Sequence, residues 1–219
     1  YLRNNPDEIT PFLDVISTNT TKFYREQRHW EYLMDELVPA WRDQSRINAW
    51  SAACSSGEEP YTLALLLEHS LRKGATTSLA GRPYRILSTD LSDDVLRRGM
   101  RGVYSKDAFE PLADQYPNIV RNYCQQRKNG YLKIDEEIRD RVVFRQFNLK
   151  SDNYPYRRKF DLVLIRNVLI YFDNEMKQHV IDGLSRSLKK GGTLFIGHSE
   201  SLNNIDHQLT RERPAIYRK

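Results

Sequence analysis

Two stretches of sequence dominate this chain, Trp50-Ser-Ala-Ala-Cys-Ser-Ser-Gly-Glu-Glu-Pro-Tyr61 and Phe160-Asp-Leu-Val-Leu-Ile-Arg-Asn-Val-Leu-Ile-Tyr-Phe172. Each runs from an apolar segment typical of a buried β-strand into a small or polar turn, and each leads towards a helix. In an open α/β sheet, ligands bind just beyond the carboxyl ends of the strands. The two stretches therefore predict two strand ends that border one small-molecule crevice.

The composition indicates a globular protein with one sizeable domain, or one domain that carries a small insertion. The 219 residues are 39% hydrophobic and 29% charged. No apolar run approaches the roughly 20 residues that a membrane helix needs, so we expect no membrane insertion. The polar first residues resemble the start of a fragment rather than a signal peptide. The two cysteines, Cys54 and Cys124, lie in separate regions, which favours a reducing cytoplasm over a disulfide framework.

The chain is mildly basic, with a formal net charge of +5. Such an excess is typical of a solvated surface and would also favour an acidic partner. No nucleic-acid-binding motif accompanies it, so we predict no nucleic-acid partner. The basic residues gather in three groups, which are Lys22 with Arg25 and Arg28, Arg97 with Arg98 and Arg101, and Arg139 with Arg141 and Arg145.

Strand and helix patterns alternate along most of the chain, which predicts a mostly parallel, doubly wound sheet. We expect Pro39 to end the second helix, Ser92 to cap the fourth and Lys189-Lys-Gly-Gly192 to close the fifth with a C-terminal glycine. An antiparallel hairpin of residues 209–212 and 215–218 is expected at the end. The predicted strands are 47–53, 84–89, 142–147, 160–165 and 193–197, and the predicted helices are 10–20, 22–37, 59–72, 93–100 and 174–188.

About forty residues between Arg101 and Arg141 interrupt this alternation. Within them, Tyr131-Leu-Lys-Ile134 has the alternation of a strand and follows the turn signal Lys128-Asn-Gly130. Loops of this length are uncommon unless they have structure or function of their own. We therefore predict an inserted lobe that contains a β-hairpin.

The turn after the first predicted strand is small and acidic. Its small residues would let a ligand approach the backbone closely, and Gly57 can adopt a positive φ. Glu58 and Glu59 stand at the start of the next helix, where they would repel phosphate and attract a cation. This favours a positively charged ligand over a dinucleotide. The alternative is a tight turn whose acidic residues complement the helix dipole.

Polar residues also close the other predicted strands. Asp90 suits the hydroxyls of a ribose, or caps the following helix. Asn148-Leu149 can contact an adenine edge, or cap a turn. Arg166 and Asn167 interrupt an apolar run, which is costly unless they are paired or line a crevice. A cationic adenosyl ligand with acidic neighbours describes S-adenosylmethionine.

The sequence resembles the CheR-type chemotaxis receptor methyltransferases, a family that methylates glutamate side chains on bacterial chemoreceptors. The resemblance covers essentially the whole catalytic region, and its motifs occur in order and with compatible spacing. The segments that carry it are Thr18-Asn-Thr-Thr-Lys-Phe-Tyr-Arg-Glu26, Trp50-Ser-Ala-Ala-Cys-Ser-Ser-Gly-Glu-Glu-Pro-Tyr61, Ser88-Thr-Asp90, Arg166-Asn-Val-Leu-Ile-Tyr-Phe172 and Gly197-His-Ser-Glu200.

The resemblance implies the α/β fold of the class I S-adenosylmethionine-dependent methyltransferases. This fold is Rossmann-like, with a mostly parallel doubly wound sheet and an antiparallel C-terminal hairpin. Residues 1–40 would be a remnant of the family's N-terminal helical domain that contributes to the cofactor site. Residues 41–219 would form the methyltransferase domain, with a β-subdomain inserted at about 103–141. S-adenosylmethionine would be the methyl donor and S-adenosylhomocysteine the product.

The resemblance also implies roles for individual residues. Arg25 and Tyr171 would be the catalytic pair beside the transferring methyl group. Glu59 is preferred over Glu58 for the amino-acid end of the cofactor, Asp90 would hold its ribose, and Asn148 and Leu149 would contact its adenine. The complete set of cofactor contacts would be Asn19, Thr21, Arg25, Glu58, Glu59, Asp90, Asn148, Leu149, Arg166 and Asn167.

The expected partner is the cytoplasmic helical bundle of a chemoreceptor, and the β-subdomain is expected to be able to dock a receptor's C-terminal peptide. We expect a monomer in the cytoplasm. Methyl transfer to a carboxylate needs no general base, because the carboxylate is already anionic at neutral pH. His198 is interpreted as structural. The other histidines lack metal-ligand spacing, so we predict no metal. The alternatives are a cofactor-binding sensor or adaptor without turnover, and a methyltransferase for another acidic substrate.

Overall fold

A mixed sheet of seven strands organises the protein in the computed structural model, which describes residues 21–41, 44–73 and 84–219. Its spatial order is β6-β2-β1-β7-β8-β10-β9. The first five of these strands pair in parallel, whereas β10 pairs antiparallel with both β8 and β9. The strands are β1 Ile47–Ala52, β2 Tyr84–Asp90, β6 Val142–Gln146, β7 Phe160–Ile165, β8 Leu188–Ile196, β9 Thr210–Arg213 and β10 Ile216–Arg218. The predicted doubly wound sheet and terminal hairpin are thereby confirmed.

A second, three-stranded antiparallel sheet lies in the segment that interrupts the alternation, and its order is β3-β5-β4. The predicted hairpin is present, because β4 and β5 are joined by a turn in which Asn129 and Gly130 both have positive φ, 61° and 74°. The strands are β3 Val103–Ser105, β4 Cys124–Gln126 and β5 Tyr131–Ile134. The division of the chain into domains stays a prediction.

The described helices pack mainly around the seven-stranded sheet or within the inserted segment. They are α1 Gln27–Tyr32, α2 Glu58–Lys73, α3 Asp93–Arg101, α4 Glu110–Gln115, α5 Pro117–Tyr123, α6 Glu136–Arg139 and α7 Asn174–Ser187. Short 3₁₀ turns occur at Lys106–Phe109, Lys128–Gly130 and Leu169–Tyr171. Among the described residues, no helix has the length and apolar character needed to cross a membrane. The helix predicted over 10–20 lies outside the described residues.

Alternate residues of β7 show how the sheet is covered on both faces. Leu162 and Leu164 belong to the apolar cluster that contains Leu66 of α2. Val163 and Ile165 belong to the other cluster, which contains residues of α7. Because successive side chains of a strand point to opposite faces, α2 and α7 cover opposite faces of the sheet. Both faces are therefore closed, and a ligand has access at the strand ends.

The predicted boundaries of the helix before the first strand are wrong. The helix begins at Gln27, because Tyr24 and Glu26 both have φ of 59° and interrupt any regular turn before it. It also continues beyond Leu37, through a π-helical turn at Leu33–Leu37 and a final α-turn at Val38–Ala40. Pro39 is the second residue of that last segment and follows the π-helical turn directly.

The predicted glycine cap at the end of the last long helix is also wrong. Helix α7 ends at Ser187, and Leu188 is already extended and starts β8. Residues 189–192 bulge between two points of pairing with β7, since Phe160 pairs with Leu188 and Leu162 pairs with Thr193. Gly191, with φ of 78°, lies in this bulge, and its N–H donates to the carbonyl of Lys219 at 2.7 Å. The two glycines therefore serve a bulge in the sheet rather than a helix end.

Candidate active site

The turn that follows β1 lies at the carboxyl edge of the sheet and has an unusual backbone. Ala53, Ser55 and Gly57 all have positive φ, at 59°, 49° and 98°. A Cβ atom on Gly57 would lie 2.9 Å from the hydroxyl oxygen of Tyr104. The positive φ expected at Gly57 is therefore present, and the close approach of Tyr104 leaves no space for a side chain there.

Asp90 is the last residue of β2 and holds the turn after β1 against the end of β2. Its Oδ2 accepts a hydrogen bond from the N–H of Ser55 at 2.8 Å, and its Oδ1 accepts one from the N–H of Ser92 at 3.1 Å. Ser92 itself caps α3, since its hydroxyl accepts a hydrogen bond from the N–H of Val95 at 3.4 Å. The expected capping role of Ser92 is confirmed, and Asp90 instead bridges two strand exits.

Glu58 and Glu59 are neighbours in sequence but have different surroundings. Glu59 accepts a hydrogen bond from the hydroxyl of Ser51 at 2.6 Å and forms an ion pair with Arg166, whose Nη1 lies 3.1 Å from Oε2. Glu58 is buried and accepts from the hydroxyl of Ser56 at 2.8 and 3.0 Å. Burial raises the pKa of both carboxyl groups, although the charge of Arg166 opposes this at Glu59.

Arg166, at the exit of β7, is the most enclosed cation of the site. Its side chain is 2% exposed, and its guanidinium donates to Glu26 Oε2 from Nε at 3.2 Å and from Nη2 at 3.0 Å. Nη2 also donates to the backbone carbonyl of Arg25, and the guanidinium lies 5.2 Å from the ring centre of Trp30. A buried arginine is costly unless it is paired, and here two carboxylates, Glu26 and Glu59, share it.

Glu26 is a site residue that sequence reasoning missed. Besides Arg166, its carboxylate accepts hydrogen bonds from the side-chain amide of Asn167 and from the N–H of His198, both at 3.1 Å. Burial alone would raise its pKa, but hydrogen bonding to His29, the charge of Arg166 and these two N–H donors together hold the pKa well below its usual range. The sequence did contain a signal for Glu26, because a buried arginine requires a carboxylate and Glu26 is the last residue of the motif Thr18-Asn-Thr-Thr-Lys-Phe-Tyr-Arg-Glu26.

Asn167 and Gly197 bring the exits of β7 and β8 into close contact. Asn167 has a left-handed backbone, with φ of 63°. A Cβ atom on Gly197 would lie 2.8 Å from both the backbone nitrogen and the side-chain nitrogen of Asn167. Asparagine tolerates this conformation better than most residues, and the absence of a side chain on Gly197 allows the approach. Asn167 is thereby positioned to donate to Glu26.

Two histidines, the buried His29 and the exposed His198, lie next to this cluster. His29 is fully buried, stacks on Phe195 with ring centres 4.8 Å apart, and meets His198 edge-on at 4.6 Å. Burial lowers the pKa of His29 to about 4 even though Glu26 opposes the shift. In the part of the chain that the structure describes, Glu26, His29 and His198 form a group with potential metal-ligand atoms within 4.8 Å of one another. The positive charge of Arg166 against Glu26 opposes a metal ion there.

The remaining predicted residues lie around the cluster or apart from it. Asn148 adopts one of its two expected roles, since its Oδ1 accepts from the N–H of Lys150 at 2.9 Å and caps a turn. Leu149 is buried next to it. The side chains of Arg25 and Tyr171 are exposed, that of Tyr171 to 63%. Thr21 is partly buried, whereas Asn19 lies outside the described residues.

Comparison with known proteins assigns the chain to a family. The family model for the CheR methyltransferase S-adenosylmethionine-binding domain matches residues 19–216. The chain belongs to the CheR methyltransferase family. It is 34% identical over 218 residues to the chemotaxis protein methyltransferase of Borreliella burgdorferi, across 97% of this chain and 74% of the relative. It is 35% identical over 222 residues to that of Listeria monocytogenes, across 100% and 79%, and 30% identical over 209 residues to that of Escherichia coli, across 94% and 69%.

This member of the CheR family is an S-adenosylmethionine-dependent methyltransferase with the class I fold. The residues at the strand ends fit that cofactor. Glu26, Glu59 and Arg166 together carry a net charge of −1 when they are ionised, and Asp90 adds a further carboxylate at the same edge. S-adenosylmethionine carries positive charge on its sulfonium sulfur and on its ammonium group, so an acidic crevice suits it.

Proposed function

We propose that this CheR-family enzyme transfers the methyl group of S-adenosylmethionine to glutamate side-chain carboxylates of bacterial chemoreceptors, and so forms glutamate methyl esters. The structural observation that carries the proposal is the shared ion cluster of Glu26, Arg166 and Glu59 at the strand exits. Its net negative charge favours a cationic methyl donor, and it lies directly beside Arg25, whose backbone carbonyl accepts from Arg166. Relatives named as chemotaxis protein methyltransferases support the choice of substrate.

The cofactor contacts follow the strand exits in this proposal. Glu59 holds the ammonium of the amino-acid end, since Glu59, unlike Glu58, belongs to the ion cluster. Asp90 holds the ribose hydroxyls from the end of β2, and Asn148 and Leu149 contact the adenine beyond β6. The other proposed contacts are Asn19, Thr21, Arg25, Glu58, Arg166 and Asn167.

The proposed chemistry needs alignment rather than proton transfer. Bound S-adenosylmethionine supplies a methyl group on a positively charged sulfur and leaves as S-adenosylhomocysteine. A glutamate with a pKa of about 4.3 is already anionic at neutral pH, so the protein needs no general base. Arg25 orients the substrate carboxylate and Tyr171 donates a hydrogen bond to it. Both side chains are exposed at the edge of the site, where a macromolecular substrate can reach them.

Replacement of Arg25 by alanine tests these roles. The Arg25 side chain is exposed, whereas the contact with Arg166 uses its backbone carbonyl, which the replacement keeps. We expect turnover of a receptor fragment to fall by about 100-fold or more, because the attacking oxygen loses its alignment, while the Kd for S-adenosylmethionine changes about threefold or less. Arg213→Ala, an exposed arginine on β9, is the matched control. Equal losses of turnover and cofactor affinity in Arg25→Ala would contradict the assignment.

The chemical nature of the product provides a separate test of the glutamate substrate. Carboxylate methyl esters release methanol in mild alkali, whereas methylated amides and amines do not. We expect radiolabel transferred from S-adenosylmethionine to a receptor fragment to be recovered as volatile methanol after alkaline treatment. Label that stays on the protein would indicate a different nucleophile. Cofactor binding without any transfer would favour the adaptor hypothesis.

The proposed partner is the cytoplasmic helical bundle of a chemoreceptor, which the enzyme meets as a cytoplasmic monomer. The small sheet offers a further contact, because β3 and β4 are its two edge strands. An edge strand can accept an extended peptide through backbone hydrogen bonds, so a receptor's C-terminal peptide can dock there. Calorimetric titration with such a peptide should give saturable binding. A complete lack of binding heat at several temperatures would contradict this docking site.

A further inference from the structure

Glu26 connects three parts of the fold through one carboxylate. It stands directly before α1, and its carboxylate binds the side chains of Arg166 and Asn167 at the exit of β7. The same carboxylate accepts the N–H of His198 just beyond β8. Since these contacts span 140 to 172 residues of sequence, Glu26 fixes the start of α1 to two strand ends of the sheet.

The backbone of Glu26 indicates that this arrangement is imposed by its contacts. Its φ of 59° and ψ of 63° lie in the left-handed region, which a glutamate seldom occupies and which persists only where surrounding contacts fix it. The preceding residue, Arg25, takes part through its backbone, since its carbonyl accepts from Arg166 and from the indole N–H of Trp30 at 2.9 Å. The guanidinium that binds the Glu26 carboxylate therefore also holds the backbone of Arg25.

Glu26 also decides the charge of the cluster. Arg166 is shared with Glu59, whose Oε2 lies 3.1 Å from Nη1. With Glu26 ionised, the three groups carry a net charge of −1, and without its charge Arg166 and Glu59 would form a neutral pair. S-adenosylmethionine has a positively charged sulfur that S-adenosylhomocysteine lacks. A negative charge near the crevice therefore stabilises the cofactor more than its demethylated product.

We propose that Glu26 is a positioning residue for methyl transfer, which acts through Arg166 and Asn167, and that its charge raises the affinity of the site for S-adenosylmethionine relative to its affinity for S-adenosylhomocysteine. The part that concerns methyl transfer rests on the proposed function. The part that concerns cofactor preference does not need a receptor and is measured by binding alone.

The Glu26→Gln variant tests the charge, because glutamine keeps the size of the side chain. Calorimetry should show that the affinity for S-adenosylmethionine falls about tenfold, as expected for the loss of one nearby charge, while the affinity for S-adenosylhomocysteine falls about threefold or less. The kcat for a receptor fragment should fall at least about tenfold with KM for the fragment nearly unchanged. Glu31→Gln, an exposed residue of α1, is the control and should behave as wild type.

The Glu26→Asp variant separates charge from position. It keeps the negative charge but shortens the side chain, so the ratio of the two affinities should return towards the wild-type ratio while kcat stays low. Equal loss of affinity for both ligands in folded Glu26→Gln would overturn the charge assignment, and wild-type kcat in Glu26→Asp would overturn the positioning role. Should Glu26→Gln not fold, Glu26→Asp still decides the positioning role. Failure of the wild-type enzyme to methylate the receptor would instead contradict the proposed function.

Discussion

Glu26 and Arg166 lie 140 residues apart in the sequence, yet the Glu26 carboxylate accepts two hydrogen bonds from the Arg166 guanidinium, at 3.0 and 3.2 Å. The pair joins the segment before α1 to the carboxyl end of β7. With Glu59 on the other side of the guanidinium, the arrangement explains how an arginine can end an apolar strand. It also places an acidic cluster where an α/β sheet binds its ligands.

Removal of the shared cation should strongly destabilise the fold. Arg166→Ala would leave Glu26 and Glu59 partly buried without their common partner, and loss of one member of a buried ion pair typically costs about 3–5 kcal/mol. Urea denaturation should show a decrease of this size in the free energy of unfolding. Arg97→Ala breaks an exposed pair with Asp93 and should change the free energy by about 0.5 kcal/mol or less. Similar effects in the two variants would show that the pairing of Arg166 with Glu26 and Glu59 does not stabilise the fold.

The buried His29 should make the fold sensitive to mild acid. Burial holds its pKa at about 4, below the ordinary value of 6.5, so between these values the unfolded chain binds a proton that the folded chain does not. The contribution of the neutral, buried His29 to the free energy of unfolding is therefore fully present above pH 6.5. It is lost as the pH falls towards 4, and the loss amounts to about 2 kcal/mol at pH 5. The charged and titratable groups that face the ring are Glu26, Arg166 and His198.

Thermal melts between pH 7.5 and 5.0 measure this effect. The Tm of the wild-type protein should decline more steeply with falling pH than the Tm of His29→Phe, because phenylalanine fills the space beside Phe195 without titrating. The pKa of Glu26 is held well below its usual range, so protonation of that carboxylate destabilises the fold only at a lower pH than these melts cover. Parallel Tm curves for the two proteins would show that His29 does not cause the sensitivity.

The hydroxyl of Tyr171 should matter for turnover and not for the fold. Its side chain is 63% exposed on a short 3₁₀ turn, so Tyr171→Phe should leave the Tm within about 2 °C of wild type. The kcat for a receptor fragment should fall by about tenfold or more, because the substrate carboxylate loses a hydrogen-bond donor, whereas cofactor affinity is retained. An unchanged kcat would remove Tyr171 from the catalytic pair.

The basic surface around α1 should steer an acidic receptor towards the site. Arg28 is exposed and lies in the first turn of that helix, two residues after Glu26, so Arg28→Glu should slow receptor methylation at low salt. Raising the ionic strength should reduce the difference from wild type, since about 0.1 M salt largely screens the interaction between exposed charges that are more than about 10 Å apart. A defect that is independent of salt would indicate a direct contact rather than steering.

Most of the fold could be predicted because its signals are local. Strand β7 is an uninterrupted apolar run, and its predicted bounds, 160–165, agree with Phe160–Ile165 in the structure. Ser92 was identifiable as a cap from its position before an amphipathic helix. Pro39 and the glycines at 191 and 192 were misinterpreted because proline and glycine suit several local structures. Their roles depend on a π-helical turn and on the pairing of β8 with β7, which are not visible in short windows of sequence.

The residues of the candidate site were predicted one by one from the family resemblance, but the contacts among their side chains were not predicted. Glu59 and Arg166 were both named, but their ion pair depends on the distance between two strand exits. Glu26 was overlooked because its importance comes from contacts 140 or more residues away. The left-handed backbone of Glu26 is also unusual for a glutamate, and the conformational preference of this residue type would not suggest it.

Methyl transfer to receptor glutamates can be measured directly from the intact mass of a chemoreceptor cytoplasmic fragment after incubation with this protein and S-adenosylmethionine. We expect increments of one methyl group that map to glutamate residues, that reverse in mild alkali and that are lost with Arg25→Ala but kept with Arg213→Ala. No increment, while calorimetry shows that the cofactor binds and the receptor fragment is folded, would contradict methyl transfer to chemoreceptor glutamates.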